Sequence, residues 1–174
     1  MGFGKAFLLS IAAFVGLNFI FTIINYAIGA GFNDLFTTIQ NYPLMIIYYL
    51  FGSIISLPSL NLNYAIAEPF LNNNMDLLIL GIGYLIAPII AAILAGRFGE
   101  NKGQSFGGWL LTTIISTTSI IIAVFLSNFT EITILTLYGL LSFDQLLIFV
   151  IISCVVNLVF YGFFALLFSK IEYY

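Results

Sequence analysis

Long apolar runs, separated by glycines, asparagines and the few charged residues, divide the chain into blocks. Four runs carry no charged side chain and are long enough to cross a bilayer: Ala6 to Gly29, Leu77 to Gly96, Trp109 to Ser127 and Gln145 to Ser169. A helix needs roughly 20 residues to traverse the hydrocarbon core. Backbone groups find no water there, so helix is the form these runs should take. The pattern predicts an all-α, polytopic transmembrane helical bundle with four spans at about 6–29, 77–96, 109–127 and 145–169. Residues 1–174 read as a single integral membrane domain.

Two shorter apolar stretches, Pro43 to Leu57 and Ile132 to Phe143, are interrupted by glycine. Runs of about 10–14 apolar residues are more often interfacial or re-entrant than spanning. From Asp34 onward, Leu35, Tyr42, Met45, Tyr48 and Tyr49 suit an interface, and Pro43 and Gly52 would let the chain bend. The segment at about 35–57 is therefore expected to be interfacial or re-entrant, either capping the outer mouth of the bundle or lying on the membrane surface.

Charge placement selects among topologies. With four spans, Lys5, Arg97, Lys102 and Lys170 share one side, and Asp34, Glu68, Asp76, Glu131 and Asp144 the other. Making both short stretches span splits the basic residues two and two. The positive-inside bias favours four spans, with both termini cytoplasmic in a plasma membrane. Boundary residues fit this reading. Asn74 to Asp76 can cap the second span, Gly107-Gly108 should break the chain before an interfacial anchor at Trp109, and Arg97 to Gly103 forms a short hairpin between antiparallel neighbours. The first run is too long for a signal-peptide core and reads as an uncleaved helix. Ala6 stands where a myristoylation signal would have Ser or Thr.

Composition narrows the chemistry. Of the 174 residues, 62% are hydrophobic and 6% charged, against about a quarter charged in soluble domains. The net charge of −3, without any basic run, argues against nucleic acid as a partner. Without histidine, and with Cys154 alone, the chain has no internal disulfide, Cys/His zinc site, iron–sulfur cluster or His-ligated haem, so no cofactor is expected. No span carries an ionisable group at membrane depth, where proton relays and ion-coupled carriers place theirs. Hydroxyls such as Ser116 and Ser119 lack a base to activate them. A non-enzymatic role is expected.

Two kinds of pattern remain. Gly83, Ala87, Ala91 and Ala95 recur every four residues and make a smooth groove on the second span, for packing within the bundle or for docking a partner subunit. Pro88 in the same span should kink it. The other spans carry neutral polar stripes: Asn18, Thr22 and Asn25; Thr112, Ser116 and Ser119; and Ser153 and Asn157. These serve either helix–helix hydrogen bonds or a path for a neutral solute. Asn128-Phe129-Thr130 is an N-glycosylation pattern at Asn128.

Two functional expectations follow. The leading one is a non-catalytic accessory or structural subunit of a larger integral membrane complex, with the lipid bilayer and other integral subunits as partners. Its rival is a small transporter or substrate-binding membrane component for a neutral or weakly polar solute.

Overall fold

The computed structural model of the chain describes residues 2–29, 31–73 and 75–170, apart from the side chain of Asp76. In chain order the helices are α1 (Gly2–Ile28), α2 (Phe32–Asn41), α3 (Met45–Phe51), α4 (Pro58–Leu62), α5 (Glu68–Leu71), α6 (Asp76–Phe98), α7 (Lys102–Leu126), α8 (Asn128–Tyr138) and α9 (Phe143–Leu167). A 3-10 turn, Gly52–Ile55, continues α3, and a π-helical turn, Asn63–Ala67, joins α4 to α5. The described residues contain no strand.

Four of these helices, α1, α6, α7 and α9, are long and apolar enough to cross a membrane. Their outward faces are apolar, with Ile114, Ile122 and Phe125 on α7 and Ile148, Ile152 and Val159 on α9 all exposed. The core between them is built from Phe14, Ala91, Trp109, Ile120, Val150 and Tyr161.

Helix starts are set by capping side chains. Asn101 accepts a hydrogen bond from the Gln104 amide at 2.9 Å, and Ser142 accepts one from Gln145 at 3.3 Å. The third span thus begins at Lys102, and the break expected at Gly107-Gly108 is absent because both glycines lie inside α7. Gly108 is there for packing: a Cβ on it would sit 3.0 Å from the Ala6 Cβ. The cap expected from Asn74 to Asp76 involves Asn74 and the Asp76 side chain, which lie outside the described residues.

α1 and α6 pack antiparallel. Gly83 faces Phe21, while Gly2, at the start of α1, approaches Glu100 just beyond the end of α6. The end of α1 and the start of α6 therefore share one end of the bundle, called distal below. The chain between them must leave and return at that end.

It does so through the centre. Amphipathic α2 has Leu35 buried and Phe32 and Phe36 exposed. The chain then enters the bundle as α3 and its 3-10 turn, breaks at Ser56-Leu57, and returns through α4 and α5, the two limbs bent by 99°. Gly52 to Ser56 are all buried, and the inward limb touches α1, α6, α7 and α9 alike. The segment expected at about 35–57 is thus re-entrant only from Met45, and it continues to Leu71 rather than ending near 57. The stretch Ile132 to Phe143 becomes the C-terminal part of α8, a left-handed Gly139 (φ 65°) that closes it, and the link to α9.

Candidate functional site

Two prolines create the polar centre of the molecule. Pro58 has no N–H, so it cannot supply the helical partner of the Ile54 carbonyl four residues earlier. Asn157 supplies it instead: its Nδ2 donates to Ile54 O at 2.6 Å and to Ser56 O at 3.0 Å. In α6, Pro88 likewise frees the Tyr84 carbonyl, and Asn61 Nδ2 donates to it at 3.3 Å. The Ser56 hydroxyl donates to Asn61 Oδ1 and ties the two repairs into one network. Irregular backbone is tolerated at membrane depth only where protein or a polar cavity satisfies it, and this network does so. Asn157 lies about 21 Å along α9 from Phe143 at 1.5 Å per residue, so the break is near mid-bundle.

The centre also holds unspent hydrogen-bonding capacity. Asn157 Oδ1, Ser53 Oγ and Ser153 Oγ are buried and meet no partner among the described residues. The Tyr161 hydroxyl lies beside Asn61, and the Tyr138 hydroxyl beside Tyr48 and Ser56.

A cavity of about 720 Å³ opens distally above this network. Its floor is a set of tyrosines on the inward limb and its neighbours. Tyr84 OH donates to Tyr48 OH at 3.1 Å, and the Tyr26 and Tyr49 hydroxyls pair at 2.8 Å. Thr22 and Asn25 of α1, Ile79 and Leu80 of α6, and Thr133 and Thr136 of α8 form the walls. None of the described lining residues is charged. Below the break, the other half of the bundle is filled by rings. Phe14 stacks on Phe51 at 6.5 Å, and Trp109 meets Phe14 at 6.2 Å and Tyr161 at 6.0 Å, both edge-on. The cavity is open at one end and closed by aromatics at the other.

The polar stripes divide between these features. On α1, Asn18 donates to Phe14 O at 2.8 Å and Thr22 to Tyr49 O at 3.4 Å, while Asn25 faces the cavity. On α9, Asn157 holds the break and Ser153 is buried one turn away. The α7 stripe is divided: Ser116 and Ser119 donate to Thr112 O and Ile115 O of their own helix, while the Thr112 hydroxyl lies 3.0 Å from both Gly108 O and the Ser10 hydroxyl of α1, a link between helices. Gly83, Ala87, Ala91 and Ala95 are buried inside the chain, Gly83 directly beneath Phe21, which leaves the groove no free surface. Asn128 is exposed in the first turn of α8.

Ser56, Asn61 and the tyrosine floor are members of the site that helical spacing alone does not reveal. The available signal was a proline followed by an asparagine in an apolar stretch, Pro58 and Asn61, together with Pro88 four residues after Tyr84. Comparison with protein families, with curated proteins and with solved structures finds no match to this chain.

Proposed function

We propose that this protein is a membrane-embedded binding component for a neutral or weakly polar solute, loaded from the distal side and carried or presented there. The observation that supports this most directly is a cavity of about 720 Å³, uncharged in its described lining and seated on a broken helix. Ligand sites typically occupy about 300–1,000 Å³ and combine apolar walls with a few placed polar groups. Binding sites of membrane carriers are commonly built where a helix unwinds near the midplane. The basic residues lie toward the other end, so the distal side is taken as extracellular and the termini as cytoplasmic, in a plasma membrane.

The rival reading, an accessory subunit, drew on the small-residue groove. That groove is consumed by packing within the chain, and the reading loses its docking face.

The test is thermal or denaturant stability of the protein in lipid nanodiscs, titrated with a panel of uncharged solutes. A ligand at a hundred times its Kd stabilises by about 2.7 kcal/mol. Thr133→Trp, which fills the cavity wall, should abolish that gain. The proposal fails if no uncharged solute stabilises the wild type, or if the variant responds equally.

A further inference from the structure

The hydrogen-bonding state of the cavity wall narrows the ligand class. Thr133 and Thr136 donate to the carbonyls of Phe129 and Ile132, both at 2.8 Å, so their protons are already spent. The paired Tyr26 and Tyr49 hydroxyls largely satisfy each other. Asn25 is different: its half-buried side-chain amide lines the cavity and meets no partner among the described residues. It offers both a donor and an acceptor at one point in an otherwise apolar or internally paired wall.

The most exposed of the described large lining side chains are apolar as well. Ile28, Met75 and Ile132 stand at the lip with exposures of 68%, 56% and 60%. An opening meant for water-borne polar solutes would be rimmed by polar side chains. This one matches the hydrocarbon beside it.

Resting on the solute-binding reading above, we infer that the ligand is an uncharged amphiphile, with an apolar body and one neutral hydrogen-bonding head such as an amide or alcohol. It enters from the distal leaflet and places its head on Asn25. Apolar surface moved from lipid to an apolar wall gains little, because lipid tails are already as apolar as leucine. Selection therefore falls on the head and on Asn25. A charged head would be desolvated with no counter-charge among the described lining residues, which disfavours fatty acids and amines.

The experiment uses N-methyldodecanamide carrying a diazirine in its chain, photolysed with the full-length protein in nanodiscs, with the label mapped by mass spectrometry. Labelling is expected at the lip and upper walls. It should be displaced by unlabelled N-methyldodecanamide or dodecanol, and not by dodecane or dodecanoate. Asn25→Leu, which keeps the size and removes the amide, should weaken labelling about three- to tenfold, the range for one neutral hydrogen bond. Its stability should match wild type, since that amide bonds nothing among the described residues. Equal labelling of Asn25→Leu, or displacement by dodecanoate as effective as by the amide, overturns the inference. If small water-soluble solutes such as N-methylacetamide stabilise the protein while the amphiphile fails to label it, the ligand class is wrong and the solute-binding reading stands. If neither binds, both fall.

Discussion

Replacing Asn157 by leucine isolates the energetics of the broken helix. The two side chains are similar in size, so no large cavity opens, and the Asn157 Oδ1 that disappears had no partner among the described residues. What is lost is the pair of bonds to Ile54 O and Ser56 O, at 2.6 and 3.0 Å. Hydrogen bonds between membrane helices average about 0.6 kcal/mol and reach about 1.7. Two of them give about 1.2–3.4 kcal/mol. The upper half of that range is expected, because Pro58 denies the Ile54 carbonyl its helical substitute and an unmet buried acceptor costs about 1–3 kcal/mol. The assay is SDS-driven unfolding in mixed micelles, followed by the fluorescence of Trp109, the single tryptophan. Ser116→Ala is the control. Among the described residues its hydroxyl bonds only the Thr112 carbonyl of its own helix, and a loss under about 0.6 kcal/mol is expected. If Asn157→Leu costs no more than that control, the asparagine does not hold the break and the argument is wrong.

Two further predictions address packing and orientation. A Cβ on Gly81 would stand 2.5 Å from the Ala65 amide nitrogen and 2.7 Å from the Tyr64 carbonyl carbon, so Gly81→Ala must displace the return limb. It should destabilise by about 1–3 kcal/mol in the same assay, while Gly16→Ala, with nothing within 4 Å, should be neutral or slightly stabilising; equal effects would refute the close approach. In a Cys154→Ser background, Asp34→Cys should react with an impermeant maleimide in sealed cells and Lys102→Cys only after permeabilisation. Labelling of Lys102→Cys from outside would overturn the four-span orientation.

The spans could be read from the sequence because length and apolarity are what a bilayer demands, and these are properties of contiguous residues. Boundaries were less legible where one residue type has two meanings. Gly107-Gly108 reads as a break in a soluble helix, yet in α7 it lets α1 approach within van der Waals contact at Ala6. The better signal was Asn101 followed by Gln104, whose side chains bond the Gln104 and Glu100 amides at the start of the helix. The small-residue stripe was visible as a stripe, but its burial under Phe21 depends on which helix lies opposite. Of the site, Asn157 and Asn25 were legible as polar positions on helical faces. Their roles were not, because the partners lie far away in sequence: Asn157 reaches Ile54 across 103 positions. The inward limb was the hardest element. Its tyrosines have the composition of an interface, and only the proline-freed carbonyls show that it is held inside.

That separation along the chain also constrains how the protein is made. When residues 45–71 leave the ribosome, the side chain that satisfies their broken backbone has not been synthesised. At about 5–20 residues per second, Asn157 follows Ile54 by about 5–20 s. During that interval the Ile54 and Ser56 carbonyls have only water as a partner, and the hydrocarbon core contains none. A hairpin set between α6 and α7 before α9 arrives would leave both carbonyls unmet, so its place in the bundle becomes fully satisfied only when α9 joins. The segment at the centre of the finished bundle thus depends for its backbone bonds on the last of the described helices to be made.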